Sequence, residues 1–193
     1  AFAAGSDIIR VAMVGCGSRG TGAIQDCLKS SPGLELVALA DLFQDKLDGC
    51  LTKVKENFPD KVKVTPDTLF LGFDAYEKVL ALPQVDVVLF CTPPGFRPQM
   101  VRAALEANKH IFMEKPGAVD PVGVRSLLKS AELADAKGLS IVVGTQQRWQ
   151  PQYREIMRRV HDGEIGELVG GQAYWNWGSS KWHWQPRKPH WSD

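Results

Sequence analysis

Gly15-Cys16-Gly17-Ser18-Arg19-Gly20 sets three glycines at the spacing G-x-G-x-x-G, directly after the apolar run Val11–Val14 and before a helical pattern. In that context each glycine has a physical use. Gly15 permits a tight turn, Gly17 lets the backbone approach a pyrophosphate, and Gly20 lets the following helix pack against the strand. The backbone N–H groups around Ser18 and Arg19, at the positive end of the helix dipole, favour an anion. A second apolar run, Leu34–Ala40, ends at Asp41. That is about 20 residues beyond the last glycine, where an acid accepts hydrogen bonds from the adenine ribose hydroxyls. A carboxylate there repels a 2′-phosphate, and Leu42-Phe43-Gln44 offers no arginine to neutralise one. The pattern points to NAD ahead of NADP, and FAD shares the same fingerprint. A glycine turn followed by an Asp that only caps a helix is the reading without a cofactor.

These residues need elements to hold them. From Asp7 to Gly144, short runs rich in Val, Ile and Leu alternate with amphipathic stretches. The strand-like runs are Ile8–Val14, Leu34–Ala40, Val62–Thr65, Val85–Cys91, His110–Met113 and Ser140–Val143. Several lack polar alternation, as parallel strands buried on both faces do. Helices are expected at Thr21–Lys29, Leu42–Asn57, Phe73–Leu82, Pro98–Ala107 and Asp120–Lys137. Asn108 is a fair residue to end the fourth, and the fifth opens on Asp120-Pro121 and stops at Gly138. The repeated strand–helix–strand order implies an α/β fold with a doubly wound parallel sheet of the Rossmann type. After Gly144 the composition changes, with a helix expected at Tyr153–His161 and a strand at Glu167–Trp177. The chain is thus divided into a flexible N-terminus (1–6), a dinucleotide-binding domain (7–145) and the apparently incomplete start of an α+β substrate domain (146–193).

Two further strand ends carry distinctive residues. Asp86–Pro94 reads DVVLFCTPP and Asn108–Pro116 reads NKHIFMEKP, so Thr92-Pro93-Pro94 and Glu114-Lys115-Pro116 follow buried strands. With the glycine turn, and with Gly-Thr-Gln-Gln-Arg at Gly144–Arg148, these segments resemble the Gfo/Idh/MocA oxidoreductases, from about Asp7 to Trp177. The resemblance implies a second domain built on an open, mostly antiparallel sheet, with a sugar, cyclitol or related substrate between that sheet and the nicotinamide. It implies that Lys115 lies near the reacting hydroxyl, where a lysine of depressed pKa assists proton removal as hydride leaves the same carbon. Glu114 would orient that ammonium or contact the cofactor ribose, Pro116 would fix the turn through a trans or cis bond, and Thr92, Pro93 and Pro94 would pass close to the ribose and nicotinamide. An exposed surface lysine at a strand end is the plainer reading of Lys115. Arg97 stands where many members carry a His. The family's second catalytic motif, an Asp/His pair on a helix of the C-terminal domain, has no match in this chain, so its catalytic set is incomplete.

Composition bounds the rest. The 193 residues suffice for one ordinary domain and part of a second, at 44% hydrophobic and 23% charged. A net charge of +1 gives no signal for nucleic acid, and no apolar run approaches the length of a membrane span. Cys16, Cys27, Cys50 and Cys91 lack CxxC or His spacing, so no metal site is expected and structural thiols are favoured, a disulfide staying open. Ala1-Phe2-Ala3-Ala4 reads either as the remnant of an export signal, hence a periplasmic or exported protein, or as an ordinary N-terminus of a cytoplasmic one. All six tryptophans lie between Trp149 and Trp191. Trp175, Trp177, Trp182, Trp184 and Trp191 fit burial in a missing domain or interface first, sugar stacking second and nucleic acid last. The leading function is hydride transfer between NAD and a sugar, cyclitol or polyol hydroxyl carbon, in a homo-oligomer at full length. An NAD-dependent glycosidase using transient oxidation and a non-catalytic cofactor-binding subunit are the other two readings.

Overall fold

A computed structural model describes residues 7–176. Six strands form one parallel sheet in the order β3-β2-β1-β4-β5-β6. They are β1 (Ile9–Val14), β2 (Leu34–Asp41), β3 (Leu69–Leu71), β4 (Val87–Phe90), β5 (His110–Glu114) and β6 (Ile141–Gly144). The helices are α1 (Ser18–Ser30), α2 (Gln44–Asn57), α3 (Ala75–Leu80), α4 (Arg97–Glu106), α5 (Pro121–Lys137), α6 (Gln146–Trp149) and α7 (Pro151–His161). This is the expected doubly wound sheet. The order runs outward from β1 to β2 and β3, then returns to add β4 on the other side of β1. A crevice therefore opens beyond the carboxyl ends of β1 and β4.

The apolar runs are explained by burial on both faces. Val11 and Met13 join Leu36, Leu39 and Leu89 under α1 and α2, against Ile24, Leu28, Leu47 and Val54. Their neighbours Ala12 and Val14 join Ala40, Val88, Phe90 and Ile111 on the opposite face, against Val79, Val101, Ala104 and Leu105 from α3 and α4. Each fully buried Leu, Val or Phe contributes about 1.5–3 kcal/mol relative to exposure, which makes these strands the least polar parts of the chain.

The helix signals of α5 act as expected. Asp120 caps it by accepting from the Gly123 N–H at 2.6 Å, and Gly138 ends it with φ +66. Asn108 takes φ 57 just beyond α4. Two strand expectations need correction. Val62–Thr65 is no strand: Val62 makes one isolated parallel bridge to Leu36, and the chain then turns at Pro66 into a short 3-10 helix. The third strand is Leu69–Leu71, paired with the far end of β2. Residues 167–176 also lack regular secondary structure, because no described strand pairs with them. Trp177, with Trp182, Trp184 and Trp191, lies outside the described residues.

The described residues fall into two units that part between Gln146 and Gln147. Within the second, α7 carries Glu155 paired with Arg158 and Arg159, and Arg158 with Asp162. Tyr153, Ile156 and Met157 of the same helix are exposed. All four cysteines are free thiols. No described helix is long and apolar enough to cross a membrane.

Candidate functional site

The glycine turn leaves β1 with the Gly15 N–H donating to the Ala40 carbonyl at 2.8 Å. Gly15 has φ +98, and a Cβ there would lie 2.7 Å from the Cys91 carbonyl carbon. Only glycine combines that φ with that approach. A Cβ on Gly20 would overlap the Gly15 carbonyl oxygen, whereas one on Gly17 would meet nothing within 4 Å. Space therefore stays open beside the middle of the turn. α1 begins at Ser18, three residues earlier than expected, and its N-cap Gly17 supplies no side-chain cap. The first-turn N–H groups are left for an anion. A close-packed turn, an open flank and an uncapped helix start together fit a pyrophosphate.

Asp41 ends β2 and is tied to this turn. Its Oδ2 accepts from the Cys16 N–H at 2.5 Å and its Oδ1 from the Phe43 N–H at 2.9 Å. Each carboxylate oxygen takes one donor and keeps a lone pair for a ribose hydroxyl. Cys16 is buried and its thiol is pushed up by its hydrogen bond to Cys50 and by burial. The residue between the first two glycines thus acts as a small hydrophobe rather than a nucleophile.

The ends of β4 and β5 are built differently. Thr92 is buried, and its hydroxyl lies 3.6 Å from the Met100 sulfur. Pro93 is exposed and Pro94 half-buried. Glu114 is 2% exposed. Its Oε1 accepts from Arg19 Nε at 2.8 Å and also from Arg19 Nη2. Glu114 Oε1 is thus engaged by the arginine of the glycine turn, whose guanidinium is held in the charged form by that pairing. Lys115 is exposed at the strand end and its ammonium has no hydrogen bond or ion pair among the described residues. The Lys115–Pro116 peptide is cis.

Arg97, noted in the sequence only as a departure, is buried at the start of α4. Its Nη1 donates to the Glu114 carbonyl at 2.5 Å and to the Pro116 carbonyl, and its Nη2 to the Thr92 carbonyl. Burial pulls its pKa down. The available signal was an arginine at a helix start with no acid in the first turn, where a cation is disfavoured. Cys91 sits between the two regions, and burial with the nearby Glu114 carboxylate pushes its thiol up to about 12.

The glycine turn, Asp41, Thr92-Pro93-Pro94 and Glu114-Lys115 thus stand at the carboxyl ends of four strands, around the point where strand order reverses. The sequence profile of the oxidoreductase family with an NAD-binding Rossmann fold, Gfo/Idh/MocA, matches residues 9–145. The chain belongs to the Gfo/Idh/MocA family. Among its relatives, the inositol 2-dehydrogenase of Pseudomonas syringae pv. syringae is 30% identical over 162 residues, 82% of this chain and 43% of that protein. A glycosyl hydrolase family 109 protein of Shewanella putrefaciens is 26% identical over 168 residues, 86% of this chain and 35% of that one. The chain spans less than half the length of these Gfo/Idh/MocA relatives. In fold it is similar to the scyllo-inositol dehydrogenase of Lactobacillus casei solved with bound NAD(H) and scyllo-inositol, at TM-score 0.67 and 22% identity over 83% of this chain and 43% of that one. The described sheet is the family's NAD-binding Rossmann domain.

Proposed function

We propose that this chain is the cofactor-binding part of an NAD-dependent oxidoreductase that moves hydride between a hydroxyl-bearing carbon of a sugar, cyclitol or related polyol and the nicotinamide. One observation carries the reading: the glycine turn, Asp41 and an exposed Lys115, unpaired among the described residues, stand at the carboxyl ends of β1, β2 and β5. Bound NAD supplies the hydride acceptor or donor. The uncapped start of α1 binds the pyrophosphate, and Asp41 accepts from the ribose hydroxyls while disfavouring a 2′-phosphate. Lys115 takes up or returns the proton of the substrate hydroxyl. The similarity to an inositol 2-dehydrogenase, and to a structure holding scyllo-inositol, supports a polyol substrate.

The test begins with titration of the chain by NADH and NADPH. Asp41→Asn should weaken NADH binding about tenfold and narrow the preference over NADPH, as expected for loss of a charge-assisted hydrogen bond. Unchanged affinities for both would remove Asp41 from the ribose site. In the full-length enzyme, Lys115→Met should lower turnover roughly 10²–10⁴-fold with NADH affinity retained.

A second reading rests on the glycosyl hydrolase family 109 relative. Such an enzyme would oxidise a sugar hydroxyl transiently, eliminate the aglycone, add water across the resulting double bond and return the hydride. Steady accumulation of NADH with a polyol supports the first reading. Release of aglycone without net NADH supports the second.

A further inference from the structure

We propose that Arg97 is a positioning residue whose guanidinium fixes the β4 loop and the Glu114-Lys115-Pro116 turn relative to each other, and so sets the nicotinamide end of the cofactor site. The inference rests on the cofactor reading above and goes beyond it by naming the group that shapes one half of that site.

The observations are geometric. Arg97 is 4% exposed, yet its hydrogen-bond partners among the described residues are three main-chain carbonyls and no carboxylate. Nη2 holds Thr92, at the end of β4, and Nη1 holds Glu114 and Pro116, at the end of β5. β4 and β5 are neighbours in the sheet, so one planar fork spans the two loops that flank the crevice on its far side from Asp41. Glu114 is thereby held twice, by Arg97 at its carbonyl and by Arg19 at its carboxylate. The second hold links it to the glycine turn.

Arg97 is at odds with local physical chemistry in three ways. A cation at the first residue of a helix meets the positive end of the dipole. A buried charge without a paired carboxylate costs desolvation. Its Nε also has no hydrogen-bond partner among the described residues. An apolar side chain would avoid these costs but would leave the Thr92, Glu114 and Pro116 carbonyls without this donor. What arginine adds is a rigid fork of donors, able to fix several carbonyls at set separations, which lysine cannot do. Residues that break local rules in this way concentrate at functional sites. The loops so fixed carry Thr92 and the exposed Lys115, the segments that the cofactor reading puts beside the nicotinamide.

The experiment measures NADH and AMP affinity of this chain, unsubstituted and with Arg97→Met or Arg97→Lys, by calorimetry. AMP reports the adenine half, which the glycine turn and Asp41 hold. Arg97→Met is expected to weaken NADH binding about tenfold or more, with AMP affinity changed less than about twofold, because a displaced loop harms only the groups it positions. Arg97→Lys should fall between, since one ammonium cannot span three carbonyls. If Arg97→Met does not fold, Arg97→Lys decides by the same NADH-to-AMP ratio. An unchanged ratio in a folded variant overturns the positioning role, as does a parallel loss of both affinities, which marks a general structural role. Absence of NADH binding by the unsubstituted chain overturns the cofactor reading itself, and the positioning role with it.

Discussion

The turn after β1 and the paired ends of β4 and β5 lie on opposite sides of one crevice, yet they are shaped by different physics. At the turn the glycine backbone does most of the shaping, with the Asp41 carboxylate holding the Cys16 N–H. Gly15 and Gly20 admit close approach, Gly17 leaves open space, and α1 starts without a side-chain cap. At β4 and β5 the backbone is ordinary extended strand, and buried charged side chains shape it instead: Glu114 under Arg19, and Arg97 under three carbonyls. The comparison teaches how each half responds to change. A main-chain device tolerates no added atom at Gly15 or Gly20. A side-chain device can be trimmed but leaves unpaired charge behind.

The largest effect should come from the turn. Gly20→Ala forces a Cβ onto the Gly15 carbonyl oxygen, which helix and strand cannot both avoid. It should destabilise the domain by about 3 kcal/mol or more and abolish NADH binding, read by urea unfolding and fluorescence titration. A stable, binding-competent Gly20→Ala protein would remove close packing as the basis of that half.

On the other side, Arg19→Met strands the buried Glu114 carboxylate, while Glu114→Gln removes the charge and keeps the shape. Breaking a buried pair costs about 3–5 kcal/mol. Because the Arg19 side chain is 52% exposed, water replaces part of the loss, and about 1–2 kcal/mol is expected for Arg19→Met. Arg19→Met combined with Glu114→Gln should recover part of that loss. A double mutant no better than the sum of the singles would show the two side chains to be uncoupled.

The smallest effect belongs to Cys91, between the two regions. Its thiol, ordinarily near 9, is pushed up to about 12 in the folded chain. Stability is then full below pH ~9 and falls as pH rises toward ~12, because the unfolded chain gives up a proton that the folded chain keeps. Near pH 10 the loss is about 1.4 kcal/mol from this group. Cys91→Ala should flatten that alkaline slope. An unaltered slope between pH 9 and 11 would show that this thiol does not titrate as its burial requires.

Local chemistry was legible wherever a residue acts on its own neighbours. Asp120, Pro121 and Gly138 bound α5, Asn108 takes the left-handed conformation after α4, and the three glycines make the turn. Reading failed where pairing decides. Val62–Thr65 is as β-prone as Leu69–Leu71, but β2 offers its start to one bridge and its end to a three-residue ladder. Residues 167–176 have strand-like composition and no described partner strand, and a lone strand has no ladder to complete.

The sequence by itself determined the parallel sheet, the glycine turn with its acid, and the strand ends that carry Thr92 and Lys115. These follow from periodicity and from motifs whose parts lie within a few residues of one another or at a set spacing. Only the tertiary structure decided which side chain Glu114 faces and what Arg97 does. Arg19 and Glu114 are 95 residues apart in the chain. No local rule relates such positions: they meet because β1 and β5 flank β4 in one sheet, and burial then obliges the Glu114 carboxylate to take the partner that packing brings within reach.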